Sequence, residues 1–333
     1  LDAHEREQID VGAFMASKQR TQDVVTGLAL DPADAQLIRE QWDSNWGYCG
    51  ETSLIAAGMT FGQYASQFTV RELASPGVPQ AQEASQLLLG VNDEAAARAM
   101  HLDANDYSGS GRSAGRRGQL RFLSWIRDQI STGAKVSLGV YIKGADDSEY
   151  DHIVPAIAVV PSSVKAGRKG LLGDRLWFAD NYGQQLSSTF GSLLRDRRAA
   201  NQSSAAPYSI PKGVNNYGIA IRGVADRDQV TIPVRLQASR YDEPVLPEGS
   251  LQPPTPEPLA LRATVFIPDQ DQSYNLYRYD DFSKVPDAFF NGAAASAIQS
   301  WVIPAHSGAS VSFDLDVLTS DTVVFRAVPS TSL

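Results

Sequence analysis

The chain has 333 residues, a hydrophobic fraction of 43% and a formal net charge of −9. That is enough chain and enough apolar side chain for two ordinary domains with full cores, and it excludes a disordered polymer. The acidic balance argues against a general nucleic-acid binder and against docking to anionic membrane surfaces, and no apolar run approaches the roughly 18 residues of a membrane-spanning helix.

In chain order, residues 1–40 are polar with short apolar patches. Asp31-Pro32-Ala33-Asp34 ahead of Leu37 and Ile38 reads as a helix start. A loop rich in Asn, Gly and aromatics runs from Trp42 to Gly50, and a helix is expected from there, with Leu54, Ala57, Gly58 and Phe61 on one buried face. Further amphipathic helices are expected over 80–100 and 118–131. After Gly133 the pattern turns β-like: Lys135–Ile142, His152–Val160, Arg175–Ala179 and Asn216–Val224 are apolar, β-branched runs of strand length. Helices followed by strands, without βαβ alternation, indicate an α+β fold.

Prolines 244, 247, 253, 254, 256 and 258 then crowd into a stiff linker. Beyond it, short runs such as Val311-Ser312-Phe313-Asp314-Leu315-Asp316-Val317 alternate apolar and polar residues, the period of half-buried strands. Five or so such strands indicate a small β-sandwich or barrel. The expected organisation is therefore 1–242 as a first domain, 243–258 as a Pro-rich linker and 259–333 as an all-β accessory domain, suited to binding a protein or a glycan. The start at Leu1 favours secretion after removal of an N-terminal segment over a cytoplasmic location. Asn201-Gln202-Ser203 is a glycosylation sequon.

The single cysteine, Cys49, has no partner for an intramolecular disulfide and cannot build a multi-thiolate metal site. Its surroundings suit chemistry. It opens the expected helix, whose N-terminal dipole favours a thiolate, and Gly50 beside it permits close approach. A thiol nucleophile needs a base on an independent element. His4 lies at a terminus, His101 is expected to face solvent, and His306 belongs to the C-terminal module. His152 opens the most apolar strand, just after the acidic turn Asp146–Asp151, and is the best placed of the four. An orienting group is then required, and Asp180-Asn181-Tyr182-Gly183 closes the next strand, so either Asn181 or Asp180 is in position to hold the imidazole.

Asn45-Trp46-Gly47-Tyr48-Cys49-Gly50 resembles the nucleophile loop of papain-like cysteine peptidases, including bacterial peptidases that cleave leader peptides. Asp151-His152-Ile153-Val154 resembles their His strand, and Trp177-Phe178-Ala179-Asp180-Asn181-Tyr182-Gly183 their Asn-aromatic-Gly strand. The Cys, His, Asn order matches, and the resemblance covers about residues 40–225. It implies a papain-like first domain with a helical part and then an antiparallel β part. It also implies Cys49 as nucleophile, His152 as general acid/base and Asn181 as orienter. In the family a glutamine ahead of the cysteine completes the oxyanion hole; Gln41 is that glutamine here, and because it stands further upstream than the family spacing, Asn45 is the alternative.

Several other patterns are read as ordinary structure. Gly111-Arg112-Ser113-Ala114-Gly115 matches the serine nucleophile elbow, but the polar residues 105–110 before it do not read as a strand, so a loop is expected. The acidic runs 146–151 and 269–273 lack the full calcium-loop pattern and read as solvated turns. The resulting expectation is a cysteine peptidase that uses a Cys49 thioester on a peptide or protein substrate, without cofactor or metal. A transglutaminase-like acyltransferase and an inactive papain-fold binding protein are the alternatives.

Overall fold

The computed structural model of the chain describes residues 47–108, 115–142, 150–162, 168–181, 185–194, 208–211, 213–238 and 255–330. The expected helix start at 31–38, the Gly111–Ala114 part of the loop, most of the 146–151 turn, the sequon and the prolines at 244–254 lie outside those residues. Helices and antiparallel sheets are both present, and the fold is α+β. The strands, in chain order, are β1 (Gln63–Tyr64), β2 (Leu102–Ser108), β3 (Lys135–Ile142), β4 (His152–Val160), β5 (Arg175–Ala179), β6 (Gln185–Thr189) and β7 (Tyr208–Ser209), followed by β8 (Tyr217–Val224), β9 (Val234–Ala238), β10 (Pro258–Phe266), β11 (Tyr274–Tyr279), β12 (Gln299–Ile303), β13 (Ser310–Leu318) and β14 (Val323–Pro329).

The chain divides into two compact units. Among the described residues, the first comprises Leu88–Glu94 and those of 104–222; the second comprises 47–87, Ala95–Asp103 and those of 223–330. The first unit is built on a sheet of order β2-β8-β3-β4-β5-β6, with β7 added to the end of β3. Val136, Leu138 and Val140 of β3 and Val154 and Ala156 of β4 bury one face of it against Phe122, Leu123 and Ile126 of the Arg116–Ser131 helix. Those three positions recur at i, i+1 and i+4, the spacing of one helix face. Tyr107, Phe122 and Trp125 form a ring cluster with centroids 4.9–5.9 Å apart. Gly218 lets the sheet reach those rings: a Cβ there would lie 3.0 Å from the Trp125 ring and 3.2 Å from Phe122.

The second unit holds two antiparallel sheets, β1-β14-β11-β12 and β13-β10-β9. Alternate residues of β10, namely Leu259, Leu261, Ala263 and Val265, point into its core. Trp301 of β12 packs on both Phe313 of β13 and Phe325 of β14, joining the two sheets as a sandwich does. Pairing crosses the linker expected at 243–258: β9, which precedes it in sequence, pairs with β10, and β1, which follows the Cys49–Thr60 helix, pairs with β14. Arg326 is buried here and donates to Gln63 Oε1 at 2.9 Å and to the carbonyls of Phe325 and His101; burial lowers its pKa to about 10.

The single helix expected over 80–100 is replaced by a 3₁₀ turn at Glu83–Ser85 and a short helix at Asp93–Ala99. Gly90, with φ +76, breaks the run, and its Cα lies so close to the Tyr217 ring that no side chain fits. A helix at Gln67–Ala74 was not expected. His101, expected in solvent, has a ring only 18% exposed, with Nδ1 2.6 Å from Asp287 and Nε2 2.9 Å from the Phe282 carbonyl.

Asp93 opens its helix, a position that favours a carboxylate, yet its carboxyl is buried and pushed up to about 7, first by desolvation and then by the charge of Asp106. Because the folded value lies above the unfolded one, this group's contribution to stability is present at low pH and is lost as pH rises from about 4 through about 7. Asp93→Asn is therefore expected to melt close to wild type at pH 4 and higher than wild type at pH 8, by on the order of a few kcal/mol in stability. A difference between the two proteins that does not change with pH contradicts this.

Candidate active site: a cysteine helix and a histidine strand

Cys49 is the first residue of a 12-residue helix, Cys49–Thr60, in the second unit, and is partly buried. Tyr48 caps that helix with a non-helical backbone (φ −109°, ψ 22°), and its carbonyl accepts the Thr52 N–H at 2.9 Å. The helix was expected to bury one face. Instead Gly50 through Ile55 and Ala57 through Met59 are all buried.

An acid in the first turn of a helix opposes a thiolate at its start, but Glu51 is turned away from Cys49. Two helical positions rotate a side chain by about 200°, so the two leave the helix on opposite sides. Glu51 is fully buried, and its Oε1 accepts from Arg71 Nε at 2.7 Å and from the Leu87 N–H at 3.0 Å. Its Oε2 has no hydrogen-bond partner among the described residues. Burial pushes the carboxyl above its ordinary range, while Arg71 and the backbone donors pull it back. Arg71, the key residue of this turn, was missed in the sequence. It sits on the unexpected Gln67–Ala74 helix, where an arginine reads as surface. Its guanidinium also donates to the Gly47 carbonyl and lies 3.4 Å from the Tyr48 ring centroid. Burial pushes the Tyr48 phenol up to about 12 despite that cation.

His152, Asp180 and Asn181 are brought together in the first unit. Val140 pairs with His152 across β3 and β4, and the β4–β5 ladder places the residue after β5 beside the start of β4. The His152 ring is buried, and Nε2 lies 2.7 Å from the main-chain carbonyl of Asp180. A carbonyl only accepts, so Nε2 carries a proton, which leaves Nδ1 as the nitrogen able to act as a base. Tyr208 flanks the imidazole with its ring nearly parallel, 6.1 Å between centroids. Asn181 is buried with φ +64°, a turn conformation that asparagine tolerates, and its side-chain Nδ2 donates to the Ile153 carbonyl at 2.9 Å. Asn181 thereby ties the turn after β5 to the residue beside His152, and the bond to the ring itself comes from the Asp180 backbone. Tyr208 carried no sequence signal, because β7 is two residues long and its partner strand is remote in sequence.

Gln41 and Asn45, the two candidates for the oxyanion hole, lie outside the described residues. Of the 269–273 run, Asp269 Oδ1 accepts the Asp271 N–H at 3.0 Å and closes a local turn. Among the described residues no group of three or more His, Cys, Asp or Glu side chains is arranged to hold a metal, and no helix is long and apolar enough to cross a membrane. No family model, no curated protein and no solved structure matches the chain.

Glu51→Ala leaves the Arg71 guanidinium buried without its carboxylate. It is expected to lower the unfolding free energy in urea by about 3–5 kcal/mol. A loss below about 1 kcal/mol contradicts a buried pair.

Proposed function

We propose that the chain is a papain-like cysteine peptidase in which Cys49 is the nucleophile and His152 the general acid/base. The observation that carries the reading is the His152 ring. It is buried at the mouth of β4, and its Nε2 proton is committed to a backbone carbonyl, which makes Nδ1 the basic nitrogen. Cys49 at the first position of a full-length helix, beside a glycine, supports the same reading from the other unit. So does the order of elements, with the cysteine on a helix and the histidine and asparagine on later antiparallel strands.

In this reaction His152 Nδ1 takes the Cys49 proton and the sulfur attacks the carbonyl carbon of a peptide bond. A C–S bond forms, and the carbonyl oxygen becomes an oxyanion stabilised by the Cys49 N–H together with Gln41 or Asn45. Collapse breaks the C–N bond, and the imidazolium gives its proton to the leaving amine. Water, deprotonated by His152, then cleaves the thioester and returns the thiol. Asp180 and Asn181 are the orienting pair, one through its carbonyl on the ring and the other through the Ile153 backbone. The substrate is a peptide or protein, and the sandwich of the second unit is a candidate for holding it.

Labelled, unfolded casein is the test substrate. Cys49→Ala and His152→Ala are each expected to cut its cleavage by at least about 1,000-fold in chains that circular dichroism shows to be folded. Cleavage unaffected by Cys49→Ala contradicts the proposal. Products carrying an added amine in place of water identify an acyltransferase. Intact casein bound without turnover identifies a binding protein.

A further inference from the structure

The residues on both sides of Cys49 converge on one guanidinium. Arg71 Nε reaches Glu51, one Nη donates to the Gly47 carbonyl and the other to the Gln80 carbonyl at 3.4 Å, and the plane covers the Tyr48 ring. Gln80 completes the enclosure, since its Oε1 accepts the Tyr48 hydroxyl proton at 3.2 Å and its Nε2 donates to the Phe68 carbonyl at 2.9 Å. Arg71, Tyr48 and Glu51 are each fully buried. This goes beyond what a helix start requires. A cap needs an acceptor for the first-turn N–H groups, and the Tyr48 side chain at the cap position supplies none.

The consequence concerns the Tyr48–Cys49 peptide. Its carbonyl points into the helix, where it accepts from Thr52. The peptide is trans, so the Cys49 N–H points the opposite way, out of the helix end. The direction of that N–H is set by the Thr52 bond together with the backbone of Gly47 and Tyr48, and Arg71 grips both of those residues. We infer that Arg71 is a positioning residue for catalysis, acting through Gly47 and Tyr48 to aim the Cys49 N–H at the oxyanion. The inference rests on the peptidase reading above and adds to it a residue that touches neither substrate nor sulfur. Lysine cannot replace it, because one ammonium has no plane to lay on Tyr48 and no fork to serve Glu51, Gly47 and Gln80 together.

Two rates separate aiming from mere support. Alkylation of Cys49 by iodoacetamide needs the thiolate and forms no oxyanion, whereas casein cleavage needs both. The full chain carrying Arg71→Lys or Gln80→Ala is compared with wild type, with folding checked by circular dichroism and thermal melting. Arg71→Lys is expected to lose about 100-fold in kcat, with KM and the pH profile of alkylation within about threefold of wild type. Gln80→Ala, which removes the acceptor of the Tyr48 hydroxyl and the donor to the Phe68 carbonyl but leaves the Arg71 contacts to Glu51 and Gly47, is expected to lose about fivefold in kcat with the same selectivity. Folded Arg71→Lys with wild-type kcat overturns the inference, as does a fall in alkylation equal to the fall in kcat. If Arg71→Lys does not fold, Gln80→Ala decides: unchanged kcat overturns the inference, and a selective fall sustains it. A wild-type chain that cleaves nothing overturns the peptidase reading and this role with it. An active wild type with full-speed Arg71→Lys overturns this role alone.

Discussion

A guanidinium cut off from water must find every partner within the chain, and in the second unit that requirement shapes the turn that carries Cys49. The desolvation of Arg71 is offset only if a carboxylate, carbonyls and a ring face surround it. Glu51, Gly47, Gln80 and Tyr48 supply these. The same contacts remove the objection that an acid in the first turn would oppose a thiolate. The charge of Glu51 is compensated on the far side of the helix, and the carboxyl is occupied by Arg71 and the Leu87 N–H.

The first unit solves a different problem, that of holding an imidazole in one orientation and one tautomer. Antiparallel pairing does most of this work. Once β4 and β5 are in register, the backbone just past β5 lies beside the first side chain of β4, and the Asp180 carbonyl meets His152 Nε2. The main-chain acceptor fixes which ring nitrogen points at the Asp180 backbone. Asn181 contributes at one remove, because its left-handed backbone turns the chain and its amide ties that turn to Ile153.

Much of this was legible in the sequence where a local pattern and its tertiary role agree. The strands at 135–142, 152–160 and 175–179 were bounded by their apolar, β-branched runs, and the helix beginning at Cys49 by the residues around it. The alternation of 311–317 marked β13 in the same way. The Gln67–Ala74 helix was not legible, because two of the residues it buries, Gln67 and Arg71, are polar and only the tertiary structure supplies their partners. Strand β2 reads Leu-Asp-Ala-Asn-Asp-Tyr-Ser, a composition that suits turns, and it is a strand because β8 offers it a ladder. The pairing of β1 with β14, and of β9 with β10, joins segments far apart in sequence, which no window along the chain detects.

The central claim is that a carbon–sulfur bond forms at Cys49 during turnover. The most direct measurement is to quench the chain in acid while it turns over a slow activated ester, then map the adduct by mass spectrometry. The account predicts one acyl group, carried by the peptide containing Cys49, absent in Cys49→Ala and lost on chase with water. Turnover with no acyl group on Cys49, or with the acyl group on another residue, would contradict it.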